Sequence, residues 1–123
     1  MGNRYNTYLK ISYSIHTAFE KATEILDFLE WSYWTNNEDL IVARTPVSAF
    51  GWGEELTVRF DEKHYMLVVS ESRYPFQFFD MGKNESNVNK FLSIFKKARF
   101  PFNEADFAEE KPQSLIGRLL SGR

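Results

Sequence analysis

The sequence predicts an α+β fold, a two-layer sandwich in which an antiparallel β-sheet of about five strands carries two helices on one face. Three observations predict it. Several segments alternate apolar and polar residues, two others repeat apolar residues at three and four residue spacing, and short polar connections suit hairpins. The order along the chain is β-α-β-β-β-β-α, and helices with one apolar stripe each cover the same side of a sheet.

The first half of the chain accounts for three strands and one helix. Strand one is predicted from apolar residues at every second position, Leu9, Ile11, Tyr13 and Ile15. Helix one is predicted over about 17 to 30, because Thr17 and Glu20 match a capping box ahead of an apolar stripe. The polar residues 36 to 39 then separate two strands, 31 to 35 and 40 to 45, which predicts a hairpin.

The second half supplies two more strands and the second helix. Residues 54 to 60 alternate clearly, whereas residues 65 to 72 begin apolar on both faces, which predicts an interior strand. Helix two is predicted from the stripe Val88, Phe91, Leu92, Phe95 and Ala98, and it ends at Phe100-Pro101. We expect one core formed by Phe19, Leu26, Leu56, Val58, Leu67, Val69, Phe91 and Phe95.

The length and composition fit a single domain. The chain has 123 residues, of which 43% are hydrophobic, enough for a real core. We predict a single α+β domain over residues 1-101. Residues 102-123 follow as a C-terminal tail, flexible or marginally helical, because the pattern there is weak and Pro112 interrupts it.

Composition also excludes several function classes. The net charge of -2 gives no reason to expect nucleic-acid binding, and the absence of cysteine excludes disulfides and thiolate metal sites. No apolar run is long enough for a transmembrane segment, so we expect a cytoplasmic protein. His16 and His64 lie far apart in sequence and read better as surface residues than as metal ligands. We identify no catalytic residue, no metal site and no cofactor.

The segment from 73 to 84 is dense in residues that define loop shape. Gly82-Lys83-Asn84 before a helix resembles the end of a phosphate-binding loop, but the earlier glycine and the Ser or Thr of that motif are missing. A structural role is favoured: Asn84 or Ser86 caps helix two, Asp80 accepts backbone hydrogen bonds, and Gly82 takes a left-handed angle. Anion binding by Lys83 is the alternative.

A second segment, from 46 to 54, places Trp52 between two glycines just before a strand. This tryptophan is either an exposed platform for a ligand, a peptide or a base, or a plug that covers the end of the core. The plug is favoured, because a single tryptophan in a tight loop often closes the end of a small sandwich.

Spaced motifs in this chain resemble those of a family of bacterial domains whose pattern is Trp-Gly-Glu, Ser-x-Ser-x-x-Pro-x-Gln, Asp-Trp-Gly-Lys-Asn and Asn-Val. The likeness spans about residues 7 to 98, and Met81 departs from the pattern's tryptophan. The matching positions are Trp52, Gly53, Glu54, Ser70, Ser72, Pro75, Gln77, Asp80, Gly82, Lys83, Asn84, Asn87 and Val88. The resemblance implies a shared domain and brings no chemistry with it.

These observations favour a noncatalytic binding or regulatory domain that uses the loops 46-54 and 73-84. Its partner would be a protein or a small molecule. The alternatives are a small enzyme or enzyme subunit with an anion or nucleotide site near Lys83, and a structural module in a homo-oligomer. The residues expected to form a ligand or partner surface are Trp52, Glu54, Arg73, Gln77, Asp80, Lys83 and Asn84.

Overall fold

The computed structural model describes residues 4–46, 53–72 and 82–112, and its architecture is the predicted α+β sandwich. Its strands and helices follow the predicted order, with a short 3-10 helix after them. The elements are β1 (Arg4–Lys10), α1 (Ile15–Leu29), β2 (Ser32–Asn36), β3 (Leu40–Arg44), β4 (Glu54–Phe60), β5 (Tyr65–Ser72), α2 (Lys83–Lys97) and the 3-10 helix (Glu104–Glu110).

The five strands form one antiparallel sheet in the order β1-β5-β4-β3-β2. Strands β2 to β5 follow one another as hairpin neighbours, while β1 pairs with β5, the last strand of the chain. The connection through α1 therefore crosses from one edge of the sheet to the other. The interior position of β5 agrees with its apolar residues on both faces.

Both helices cover the same face of the sheet. Helix α2 lies on β1, β5 and β4, and α1 packs beside it, where Phe19 of α1 meets Phe60 of β4 with ring centroids 6.4 Å apart. Side chains of Leu56, Val58, Met66 and Val68 fill the core below the helices. The helical residues of that core include Ala18, Ala22, Ile25, Leu26, Leu29, Val88, Phe91 and Phe95.

The prediction that Leu67 and Val69 belong to this core is wrong. Residue Val58 pairs with Val68, and Thr57 pairs with Val69, so the core face of β5 carries Met66 and Val68. Residues one position away point to the opposite face of the sheet. An interior strand is apolar on both faces, and its sequence alone therefore does not say which set faces the helices.

The start of the chain also differs from the prediction. Strand β1 covers Arg4–Lys10 instead of residues 9 to 15, and α1 begins at Ile15. The cap of α1 is Ser14, whose Oγ accepts a hydrogen bond from the Thr17 backbone N–H at 3.1 Å, so the predicted Thr17 cap is wrong. Leu9 of β1, Ile11 of the following loop and Ile15 of α1 pack on the core, whereas Tyr13 is exposed. Residues of three different elements thus produced a false period of two.

The C-terminal part contributes to the core. Phe107 of the 3-10 helix is only 7% exposed, and its ring stacks on Phe102 at 5.7 Å. Phe102 in turn meets Phe28 of α1 edge-on at 5.6 Å. The predicted tail thus contains a 3-10 helix and a buried aromatic, while residues 113–123 lie outside the described residues. The boundary at residue 101 remains a prediction.

The opposite face of the sheet is not covered by the helices of the described chain. Tyr8, Trp34 and Tyr65 are exposed there, but cations lie against two of these rings: Arg44 over Trp34 at 5.2 Å and Lys10 over Tyr65 at 4.7 Å. We refer to this side as the open face. No helix in the described ranges is long and apolar enough to cross a membrane.

Candidate functional site

Six polar side chains meet at one end of the sheet, beside the first turns of α2. Strand register places Glu54 opposite Ser72, and the backbone N–H of Thr45 donates to the Glu54 carbonyl at 2.9 Å. Because α2 lies across β4 and β5, its first turns reach the same place. We name this group the polar cluster; its members are Thr45, Glu54, Ser70, Ser72, Asn84 and Asn87.

Glu54 is the centre of the polar cluster, and its side chain is almost fully buried, with 3% of the residue exposed. Its Oε1 accepts hydrogen bonds from Thr45 Oγ1 at 3.0 Å and from Asn87 Nδ2 at 2.9 Å. The backbone N–H of Glu54 donates to Thr45 Oγ1 at 2.8 Å. This carboxyl group therefore ties the end of β3, the start of β4 and helix α2 together.

Asn84 links the same helix to β5. It is fully buried, and its Oδ1 accepts a hydrogen bond from Ser70 Oγ at 2.7 Å. The prediction that Asn84 or Ser86 caps α2 is wrong, because the helix begins at Lys83 and its N-cap is Gly82. Gly82 does take the left-handed angle expected of it, with φ of 78°. The Asn84 side chain is therefore buried against β5, where it bonds to Ser70, instead of capping its own helix.

Two buried oxygen atoms of the polar cluster accept or donate no hydrogen bond within the described part of the chain. Glu54 Oε2 and Ser72 Oγ have no partner among the described residues. A buried polar atom left unsatisfied costs roughly 1–3 kcal/mol, so native proteins rarely keep one without a reason. Both atoms lie where the segments 47–52 and 73–81 join the described fold, which is the region expected to form the working surface.

A hollow adjoins the polar cluster at Ser72. It has a volume of about 320 Å³ and is lined by Ser72 with Arg44, Glu55 and Glu71 of the open face. Arg44 Nε lies 3.8 Å from Glu55 Oε2, a partly exposed pair directly opposite each other on β3 and β4. Two carboxylates and one guanidinium give this hollow an excess of negative charge.

The structure brings together only part of the predicted surface. Glu54 and Asn84 are both members of the polar cluster, and Lys83 stands beside Asn84 as the half-buried first residue of α2. Trp52, Arg73, Gln77 and Asp80 lie outside the described residues. The prediction missed four members of the cluster, Thr45, Ser70, Ser72 and Asn87.

A signal for most of these missed residues was present in the sequence. Ser70, Ser72 and Asn87 all belong to the spaced motifs quoted above, although none was chosen as a surface residue. Thr45 carried no such signal, because its role depends on the register between β3 and β4. Residues from four separate motifs thus converge in one hydrogen-bond network: Glu54, Ser70, Asn84 and Asn87.

The polar cluster holds no acid-base pair typical of catalysis. The Thr45 and Ser70 hydroxyl groups donate to carboxyl and amide oxygens. The two histidines make their contacts elsewhere, His16 with Glu20 and Glu38 and His64 with the Tyr13 carbonyl. No group of three or more potential metal ligands occurs in the ranges 4–46, 53–72 and 82–112. The chemistry that this cluster offers is hydrogen bonding from buried acceptors.

Comparison of the chain with protein families, curated proteins and solved structures finds no match. The motif resemblance therefore stays a prediction.

Proposed function

We propose that this protein is a noncatalytic binding domain whose ligand contacts the polar cluster and the adjoining hollow. The observation that carries this proposal is the buried carboxyl group of Glu54, in which Oε1 accepts two hydrogen bonds and Oε2 accepts none from the described residues. A ligand that supplies an N–H or O–H donor would remove the cost of the unsatisfied atom.

The charge around the site favours a cationic donor. Glu55 and Glu71 line the hollow, and Arg44 is the single cation among its described lining residues. Glu54 lies directly opposite Ser72 in the register of β4 and β5. An ammonium group is attracted to such a site and carries three donors. The ligand class that fits best is a small polar amine, or the amino group of a peptide.

The other two readings receive less support. An enzyme needs a nucleophile, acid or base positioned on a substrate. In the cluster, the Thr45 and Ser70 hydroxyl groups are engaged in structural hydrogen bonds, and no histidine is a member. A homo-oligomer needs a continuous apolar patch. On the open face Tyr8 and Tyr65 contact each other edge-on, but the charged residues Arg59 and Glu71 lie on the same face and interrupt its apolar surface. A cytoplasmic location remains an expectation from the sequence.

The proposal is tested by titrating the 15N-labelled protein with three simple probes. Ethylammonium chloride carries the cationic donor, acetamide a neutral donor, and sodium acetate only acceptors. We expect ethylammonium to shift the amide resonances of Glu54, Ser72 and Asn87 in a saturable way. Acetamide should act more weakly, and acetate should leave these resonances in place.

Two variants and one control decide the outcome. Glu54→Gln keeps the shape of the side chain but replaces an acceptor oxygen by an NH₂ group, and it should weaken ethylammonium binding about tenfold or more, equivalent to about 1.4 kcal/mol. Ser72→Ala gives a second test in a variant that loses no described hydrogen bond. Glu62→Gln, an exposed change in the turn at the other end of β4, should bind as the parent does. Equal binding by Glu54→Gln and the parent, or no shift with any donor probe, rejects the proposal.

A further inference from the structure

A separate pocket lies at the opposite end of the sheet, where β1 passes into α1. It has a volume of about 190 Å³, far above the roughly 10–15 Å³ that one water molecule needs. We name it the lysine pocket, and its principal lining residues are Leu9, Ile11, Ser12, Tyr13, Lys21 and Phe95. Lys10 and Lys96 also line it, and its described lining includes no aspartate or glutamate.

Lys21 is the unusual residue of this pocket, because only 5% of it is exposed. It sits on the buried stripe of α1 between Ala18 and Ile25, both of them core residues. Lysine is almost never buried to this extent without a paired charge. The described residues supply no carboxylate within 4 Å of its ammonium nitrogen.

The contacts of the Lys21 ammonium group are weak for a buried cation. Nζ donates one hydrogen bond, to the Tyr13 hydroxyl at 3.2 Å, and lies over the Phe95 ring at 4.5 Å and the Tyr13 ring at 5.4 Å. An ammonium has three donors, so two of them have no described acceptor. Burial lowers the pKa of Lys21 below its ordinary value of 10.5, as expected for a cation without a counter-ion.

Tyr13 adds a second donor to the same pocket. Its oxygen accepts the bond from Lys21, which leaves the phenolic O–H to donate elsewhere. Burial raises the pKa of Tyr13, so the phenol keeps its proton at neutral pH. The ammonium of Lys10, by contrast, donates to the Lys63 carbonyl at 2.9 Å and is engaged on the open face.

From this arrangement we infer that the lysine pocket binds a small organic acid, whose carboxylate meets Lys21 and Tyr13 and whose short apolar chain lies against Leu9, Ile11 and Phe95. The buried cation supplies the attraction for a negative group, and the apolar lining selects an organic acid over a bare inorganic anion. The small volume limits the ligand to a few non-hydrogen atoms. This site is independent of the polar cluster and needs none of its residues.

The experiment compares butyrate with butyramide, which has nearly the same shape but no charge. Each is titrated into the 15N-labelled protein at constant pH and ionic strength, and the resonances of Ile11, Tyr13 and Phe95 are followed. We expect saturable shifts with butyrate and at least a tenfold weaker response to butyramide. In parallel, 13C NMR of the Lys21 ε-carbon should show its pKa rising in butyrate and unchanged in butyramide, because a bound anion favours the charged amine.

Variants separate this site from general attraction to lysines. Lys21→Met keeps an unbranched side chain in the pocket without the charge and should lose butyrate binding at least tenfold. Lys90→Met, an exposed lysine of α2, should bind like the parent. Equal binding of butyrate and butyramide, an unchanged Lys21 pKa in butyrate, or tighter binding of inorganic phosphate than of butyrate would each overturn the inference. The pKa measurement on the parent decides the matter even if Lys21→Met does not fold.

Discussion

The polar cluster and the lysine pocket bury an ionisable side chain in two different ways. Glu54 is held by the Thr45 hydroxyl and the Asn87 amide, both bonded to the same oxygen. Lys21 has one phenolic oxygen and two aromatic faces around it. The first group is part of the structure that joins strands to helix, whereas the second interrupts the apolar stripe of α1.

Helix α2 connects these two ends of the molecule. Asn84 and Asn87 in its first turns belong to the polar cluster, and Phe95 in its last turns lies under Lys21. At 1.5 Å per residue, Phe95 lies about 12 Å from Asn87 and about 16 Å from Asn84 along the helix axis. The comparison teaches that a buried charge has to be judged by its hydrogen-bond partners, because burial alone does not distinguish a structural group from a binding group.

The largest effect that bears on this comparison is expected for Phe95→Ala. Phe95 is fully buried, so its truncation should lower the free energy of unfolding by about 3–5 kcal/mol. Phe91→Ala is the matched control, since Phe91 stacks on Phe95 at 5.9 Å and is equally buried. Denaturant titrations should show similar losses for both, while the pKa of Lys21 should move toward its ordinary value only in Phe95→Ala. A loss below about 1 kcal/mol would mean that α2 does not pack as described.

Asn87→Ala should have the next largest effect, because it removes one donor from Glu54 Oε1 within a buried network. We expect a loss of about 1–3 kcal/mol, the range for a buried hydrogen bond left half made. Asn89→Ala provides the control on the same helix, since Asn89 is exposed and should change stability by less than about 0.5 kcal/mol. Equal losses of unfolding free energy in the two variants would show that the Asn87 hydrogen bond does not stabilise the fold.

Lys21→Met should behave in the opposite sense. Replacing a buried, poorly partnered charge by an apolar residue of similar length is often neutral or stabilising, so we expect a change between no effect and a gain of about 1 kcal/mol. Thermal and denaturant unfolding of the variant and the parent check this. A clear loss of stability would mean that Lys21 is a structural residue like Glu54, and the contrast between the two ends would fail.

The smallest effect concerns an exposed ionisable group, His16, which serves as a reference for both buried ones. A hydrogen bond to Glu38, at 2.8 Å from Nδ1, and the nearby charge of Glu20 raise the pKa of His16 above 6.5. The interaction of protonated His16 with these carboxylates therefore stabilises the fold fully below pH 6.5, and this stabilisation is lost as the pH rises through the raised pKa. The melting temperature difference between the parent and His16→Ala should be larger at about pH 5 than at about pH 9.

The carboxylates supply the control for that pH dependence. In a background carrying Glu20→Gln and Glu38→Gln, the His16→Ala change should have the same effect at both pH values. A pH dependence that persists in this background would assign it to other groups.

The sequence predicted the architecture because most of its elements carry their own pattern. Strands β4 and β5 lie where alternation placed them, and the stripe of α2 reaches the core as expected. The errors fall where a pattern crosses a boundary: the apolar residues between Leu9 and Ile15 belong to a strand, a loop and a helix. The choice between Met66 and Leu67 as a core residue depended on strand pairing, which is a long-range property.

The two candidate sites were predictable to different extents. Glu54 and Asn84 were identified by their place in spaced motifs, but their partnership through Asn87 and Ser70 required the register of β4 and β5 and the position of α2. Lys21 was missed although its signal is local. A lysine placed three residues after Ala18 and four before Ile25 lies on the apolar face of a helix, and this spacing alone predicts a buried lysine.

The pairing of β1 with β5 sets an order of events during folding. Strands β2 to β5 can pair as successive hairpins, because each strand is adjacent in the sheet to the next strand in the sequence. Strand β1 is different, since Arg4 pairs with Glu71 and Lys10 with Tyr65, and none of these partners exists until β5 has been synthesised. Contacts between distant parts of a chain form slowly because a long loop must close first. On the ribosome, β1 cannot pair until four further strands have been synthesised, so we expect this edge of the sheet to form last.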